Sequence, residues 1–201
     1  MSVITLFWYE GDTIASMLTV GIDEVGRGCW AGPLVAGAVL LDTPIEGLKD
    51  SKKLSKRRRE TLTEIIQVQS VAFGLGWVTP HEVDQLGLTQ AVRLAMERAL
   101  AAITVPYDEV IIDGNLNFLA HLPKTQELIK ADDTVPAVSA ASIIAKVARD
   151  KYMTALSELY PGYGFEQHVG YGTAAHLAGL RLLGVTDQHR QSFKPIKALL
   201  Q

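Results

Sequence analysis

The stretch Leu18-Thr19-Val20-Gly21-Ile22-Asp23-Glu24-Val25-Gly26-Arg27-Gly28 decides how this chain is read. Its apolar first half has the length and β-branched content of a short buried strand. The strand ends in two adjacent acids, whose ionised forms are costly there unless a cation offsets them. Hard divalent ions take carboxylate oxygens, so a metal site is one reading, and a solvated strand end before a glycine turn is the other. This fragment alone leaves both open. Gly26 and Gly28 allow a tight turn and a close approach of backbone to a partner. Gly26-Arg27-Gly28-Cys29-Trp30-Ala31 also fits the spacing of a dinucleotide-binding loop, but that loop must open a helix. Here Pro33 leads into residues 34–41, an apolar run that reads as a second strand, which excludes a nucleotide cofactor.

Further strands are predicted near 69–78, at 109–113 and at 127–131. A helix lies between residues 41 and 69 with Leu62, Ile65 and Ile66 inward. Thr79-Pro80 opens a short helix that Gly87 closes, and a longer one follows near 89–102. Three of the strands thus end in acids, at Asp23, Asp113 and Asp132, and open α/β sheets gather their sites beyond such strand ends. Ser139 to Leu159 is predicted as one long helix. Its packing stripe is Val138, Ala141, Ala145, Ala148, Tyr152, Ala155 and Leu159, and its polar stripe is Ser139, Ser142, Lys146 and Arg149. The polar stripe is either a solvent face or a seat for phosphate. Residues 160–201, rich in Gly, Tyr and His with a further helix near 173–183, read as a small appendage. The expected architecture is a single α/β domain over 1–201. Its core, about 18–159, is a mixed five-stranded sheet flanked by helices.

Charge adds a second theme. The net charge of the 201-residue chain is −3, yet six of its 19 basic residues fall in the run 52–59, a local patch suited to phosphates or else a solvated helix start after Ser55. The single cysteine, Cys29, excludes an internal disulfide and fits a reducing compartment. No secretory leader is expected, because residues 1–26 carry no Lys or Arg, and no stretch near them reaches the roughly 20 apolar residues a membrane helix needs. His168 and His176 read as ordinary hydrogen-bonded or surface histidines rather than zinc ligands, and Trp30 and Trp77 as core. His189 and Arg190 read either as channel lining or as support.

Acids converging on strand ends beside a basic cluster suggest phosphoryl chemistry assisted by two metal ions, and hence a nuclease. The chain resembles the bacterial ribonuclease HII family in a series of separated blocks. They are Gly21-Ile22-Asp23-Glu24-Val25-Gly26-Arg27-Gly28, Asp50-Ser51-Lys52-Lys53-Leu54-Ser55, Asp113-Gly114-Asn115 and Lys130-Ala131-Asp132. Ala141-Ser142-Ile143-Ile144-Ala145-Lys146, Tyr163-Gly164-Phe165, Gly170-Tyr171 and His189-Arg190-Gln191-Ser192-Phe193 complete the series. The resemblance implies an RNase H-like fold and four metal-binding catalytic carboxylates, Asp23, Glu24, Asp113 and Asp132, with Mg²⁺ or Mn²⁺ as cofactor. It implies recognition of a ribonucleotide 2′-hydroxyl by Gly26, Arg27 and Gly28 and of the RNA–DNA junction by Tyr171. It also implies phosphate contacts from Lys52, Lys53, Ser142 and Lys146. The implied activity is a monomeric, cytoplasmic endoribonuclease acting on RNA–DNA hybrids and on duplex DNA with embedded ribonucleotides. Its cut lies 5′ of the ribonucleotide and leaves 3′-hydroxyl and 5′-phosphate ends. Rival readings are an RNase H-fold nuclease for other junctions and a catalytically silent nucleic-acid-binding module. The chain departs from the family pattern at Ala131, where glycine is usual, and at Gly172, where proline is usual; these bear on the loop before Asp132 and on the placement of Tyr171.

Overall fold

The computed structural model describes residues 17–48 and 53–201, so the readings at residues 1–16 and at Asp50, Ser51 and Lys52 lie outside the described residues. Among the described residues, β1 (Thr19–Val25) pairs antiparallel with β2 (Leu34–Leu41), and β2 with β3 (Ala72–Val78). β4 (Glu109–Asp113) then runs parallel to β1, and β5 (Thr125–Leu128) parallel to β4. The sheet order is β3-β2-β1-β4-β5. The mixed five-stranded sheet expected from the sequence is present.

Strand alternation assigns the two faces. Val20, Ile22, Ala36, Ala38, Val110 and Ile112 meet α3 (Leu88–Ala101) through Ala91, Val92, Ala95, Met96 and Ala99. The other face carries Val39 and Leu41 against Leu62 and Ile66 of α1 (Lys56–Gln69) and against Ala140, Ala141 and Ile144 of α5 (Pro136–Leu159). α5 lies unusually close to the sheet. A Cβ on Gly21 would sit 2.1 Å from the Val138 nitrogen, and one on Gly37 would sit 2.4 Å from the Ala141 carbonyl oxygen. Glycine at those two positions lets the start of α5 press against the strand that carries Asp23.

The sequence reading needs three corrections here. β5 ends at Leu128, because Lys130 adopts a left-handed conformation (φ 59°) and turns the chain into the short helix α4 (Ala131–Thr134). Asp132 therefore sits at a helix start and not at a strand end. The long helix begins at Pro136, three residues earlier than predicted, with proline in its first turn, where a missing N–H costs nothing. Its packing stripe is right only in the first half: Val138, Ala141 and Ala145 are buried, whereas Tyr152 and Leu159 are exposed and the later turns bury Arg149, Met153 and Leu156 instead. Met153 and Leu156 join Ala31, Tyr163, Phe165, Leu180 and Ile196 in a separate apolar cluster, which seats α6 (Phe165–His168), α7 (Ala174–Leu183) and α8 (Lys194–Lys197). The remaining helix, α2 (Pro80–Leu86), starts with the Thr79–Glu82 capping box. No helix among the described residues is long and apolar enough to cross a membrane.

Candidate active site

The parallel pairing of β1 and β4 aligns Ile22 with Ile112, so the next residues, Asp23 and Asp113, emerge side by side. Asp113 Oδ1 accepts hydrogen bonds from the backbone N–H of Ala131 (2.8 Å) and of Asp132 (3.4 Å), which docks the start of α4 against the strand end. Carboxylate oxygens of Asp23, Asp113 and Asp132 consequently lie within 4.8 Å of one another. Ala131 is buried with an ordinary negative φ, so alanine fits this loop without glycine's freedom. Ser139 fixes the same loop from behind by donating its hydroxyl to the Asp132 carbonyl (2.5 Å).

Asp23, Glu24, Asp113, Gly26, Arg27, Gly28, Ser142, Lys146 and Tyr171 all line one cavity of about 400 Å³. Glu24 faces the cavity but pairs with Arg27 Nη1 at 3.1 Å, and the Arg27 guanidinium also stacks 5.7 Å from the Phe118 ring centre. Lys146 is held by Asp150 at 2.8 Å, one helical turn away. Ser142 is a hydrogen-bond partner of Asp23 at the cavity wall. Of the basic run, Lys53 reaches Asp133, the neighbour of Asp132, and so brings one cation to the rim. Gly26 has a left-handed φ of 92°, and a Cβ there would run into Arg149 Nε at 2.4 Å. At Gly28 a Cβ would find nothing nearer than Tyr171 Cε1, at 4.0 Å, so the approach to this turn from the cavity is open.

The electrostatics follow from burial. Removal from water, reinforced by Glu24 and Asp113, raises the Asp23 carboxyl from its ordinary 3.8 to about 8, against the opposing hydrogen bond from Ser142. Burial likewise raises the Glu24 carboxyl, and Arg27 opposes it. A largely buried group of oxygen donors that repel one another, beside an Arg27 paired with Glu24 and a Lys146 paired with Asp150, has the donor chemistry of a hard divalent cation site.

Two buried arginines were misread or left open in the sequence. Arg149, assigned above to a polar stripe, is fully buried and donates to the carbonyls of Pro33 (2.8 Å), Val169 (2.8 Å) and Ala31 (3.1 Å). Arg190 is also fully buried. It donates to the carbonyls of Arg27 (3.0 Å) and Gly32 (3.0 Å), so it supports the glycine turn instead of lining the cavity. No residue-type signal separates such arginines from solvated ones. His168, His176 and His189 are buried too. The His176 and His189 Nε2 atoms lie 3.1 Å apart, His168 Nε2 lies 2.7 Å from the Tyr163 carbonyl oxygen, and the His168 ring stacks on His176 at 4.5 Å, which bears out the hydrogen-bonded reading of His168 and His176.

Comparison with known proteins places this geometry. The family model for ribonuclease HII matches residues 20–196. Ribonuclease HII of Nitrosococcus oceani is 48% identical over 94% of this chain and 94% of its own length. That of Shewanella loihica is 45% identical over 94% and 93%. Among solved structures, ribonuclease H2 of Pyrococcus horikoshii OT3 superposes with a TM-score of 0.79 at 26% identity, covering 91% of this chain and 97% of that one.

Proposed function

The chain belongs to the ribonuclease HII family of metal-dependent endoribonucleases acting on RNA–DNA hybrids, and from that premise we propose how its cavity works and what it cuts. The substrate is the RNA strand of a hybrid or a single ribonucleotide embedded in duplex DNA. The cut falls on the 5′ side of the ribonucleotide and leaves 3′-hydroxyl and 5′-phosphate ends. The biological setting is removal of ribonucleotides from DNA by a monomeric cytoplasmic enzyme of one catalytic domain. The observation that carries this reading is that Asp23 and Asp113, grouped with Asp132 in one carboxylate triad, line the same cavity as the Gly26–Gly28 turn.

Asp23, Glu24, Asp113 and Asp132 are the catalytic carboxylates, and their oxygens would hold Mg²⁺ or Mn²⁺. A metal held by these four residues would supply Lewis acidity for hydrolysis of the phosphodiester, lowering the pKa of a water and offsetting charge on the phosphate and on the 3′-oxygen. The backbone of Gly26, Arg27 and Gly28 reads the 2′-hydroxyl, a group that both donates and accepts and that DNA lacks. Gly28 leaves room for that sugar. Tyr171 packs against the adjoining deoxyribose and so favours a junction over continuous RNA. Ser142 and Lys146 face the phosphate from α5, while Lys52 and Lys53 hold the strand at the rim. The test is cleavage of a labelled DNA duplex containing one ribonucleotide, with and without Mg²⁺, alongside an all-DNA duplex and one with four consecutive ribonucleotides. We expect Mg²⁺-dependent cutting of both ribonucleotide substrates, 5′ of the single ribonucleotide, and none of the DNA. Activity confined to the four-ribonucleotide duplex would overturn the junction reading, and binding without cleavage would make the chain a silent binding module.

A further inference from the structure

We propose that Trp30 is the positioning residue for Tyr171 and thereby sets the preference for a ribonucleotide junction; this rests on the role given to Tyr171 above. Trp30 does not line the catalytic cavity. Its backbone instead grips the tyrosine's segment: Trp30 N–H donates to the Gly170 carbonyl at 2.8 Å, and Ala31 N–H to the same oxygen at 3.3 Å. Its indole lies directly on Gly172. A Cβ at residue 172 would meet Trp30 Cε2 at 2.0 Å and Cζ2 at 2.1 Å, so the indole occupies the space in which a side chain at 172 would stand. The indole also packs on His176, with ring centres 5.7 Å apart, and His176 Nδ1 is bonded to the Tyr171 carbonyl at 3.0 Å.

The neighbours of Trp30 complete the clasp. The Cys29 thiol donates to the Val169 carbonyl at 3.6 Å, two residues before Tyr171, and the Gly28 side of the turn faces the Tyr171 ring edge. Three consecutive residues, Gly28, Cys29 and Trp30, thus meet the ring edge, the preceding backbone and the following residue of Tyr171. The phenol itself stays 43% exposed, available to a substrate.

Gly172 does not have a positive φ, so its backbone does not demand glycine; the indole does. A glycine after Tyr171 would leave that segment loose, since glycine has the widest conformational freedom. Trp30 packed on it removes the looseness. The two residues are therefore a matched pair, and a change at either one displaces the phenol. A displacement of ~1 Å at a positioning group can cost on the order of 100-fold in rate.

The experiment uses Gly172→Ala and Trp30→Leu, alone and together, with Tyr171→Ala as reference. It reads kcat/KM on a duplex with one ribonucleotide and on a continuous hybrid, and thermal midpoints for each protein. We expect Gly172→Ala to lower the single-ribonucleotide to hybrid ratio roughly tenfold or more. We expect Trp30→Leu to lower it as well, and the double variant to recover most of the loss because the indole no longer fills the space. Thermal shifts should be non-additive, as for residues in direct contact. Equal losses on both substrates would reduce Trp30 to simple packing and overturn the proposal, as would additive shifts with no recovery. If Tyr171→Ala changes the ratio and Gly172→Ala does not, the Trp30 proposal alone falls. If Tyr171→Ala leaves the ratio unchanged, the junction role of Tyr171 falls and the proposal with it.

Discussion

Replacing Asp23 by Asn should stabilise the metal-free protein while destroying its activity. The carboxyl is buried, and its surroundings raise it from 3.8 to about 8. A carboxyl whose folded value lies above its unfolded one gives its full stability below the unfolded value and loses it as pH rises toward the folded one. The window therefore runs from 3.8 to about 8. At pH 7 roughly three pH decades of that window have been crossed, at about 1.4 kcal/mol each, so ionisable Asp23 costs the fold ~4 kcal/mol. Asn removes the ionisation and keeps an oxygen for the 2.7 Å bond from the Glu24 N–H. In EDTA at pH 7 the variant should therefore unfold at higher temperature and higher urea than the wild type, and the difference should vanish near pH 4. Mg²⁺ should narrow the difference, because a ligand at 100 times its dissociation constant adds about 2.7 kcal/mol to the protein that binds it, which is less than the ~4 kcal/mol that separates the two proteins without metal. Cleavage by the variant should fall by at least ~10²–10³, the loss typical of one well-placed electrostatic group. The assay is thermal and urea unfolding across pH, with and without Mg²⁺, beside a cleavage assay. Equal stability of the two proteins in EDTA at pH 7, with near-normal turnover of the variant, would refute the reasoning.

Three more outcomes are expected. Neutralising Lys52 and Lys53 together should weaken binding to every duplex and lower the log–log salt slope by about 0.9 for each phosphate that is no longer neutralised; an unchanged slope in a salt titration of binding would make the run a solvated helix start. Burial lowers His176 and His189 from 6.5 to about 4, so both fold as neutral rings, and stability should fall as pH drops from 6.5 toward 4 by up to about 1.4 kcal/mol per pH decade for each ring. Urea unfolding in the Asp23→Asn background isolates that effect, and an imidazole seen by NMR to titrate at its ordinary value would contradict it. Arg149→Met should cost about 3 kcal/mol or more in unfolding free energy, because it leaves the Pro33 and Ala31 carbonyls without their donor and the Val169 carbonyl with only the Cys29 thiol; a loss under ~1 kcal/mol would show that water replaces the guanidinium.

The strands and the main helices were legible because hydrophobic period and glycine or proline punctuation are local. What failed was non-local. Leu128-Ile129-Lys130 continues an apolar run and reads as strand, but Lys130 turns left-handed so that Ala131 and Asp132 can donate their N–H groups to Asp113. No property of lysine announces that turn; the partner strand imposes it. Arg149 falls on a helical stripe with Ser142 and Lys146 and reads either as solvated or as part of a phosphate seat. It is buried because Ala31, Pro33 and Val169 present carbonyls to it, and those come from two other parts of the chain. Gly172 read as a loosened loop, and the indole that replaces the missing restraint is invisible until the two segments are brought together.

The acids themselves were found from sequence, but their mutual distance was not, and distance is what gives them chemistry. Register sets it. Pairing Ile22 with Ile112 makes Asp23 and Asp113 neighbours, and Gly21 and Gly37 let α5 come close enough to hold α4 and Asp132 over them. A side chain at Gly21 would push α5 outward and separate Asp132 from the other two. The close packing that buries this helix is therefore the same feature that holds three mutually repelling carboxylates within 4.8 Å. The folding energy of the α5 interface offsets the repulsion among these acids, and a bound cation would relieve it. That division of labour matches the placement of the acids, Asp23 and Asp113 on the paired strands β1 and β4 and Asp132 on α4, while the groups assigned to substrate, Arg27 and Tyr171, stay partly exposed at the cavity mouth.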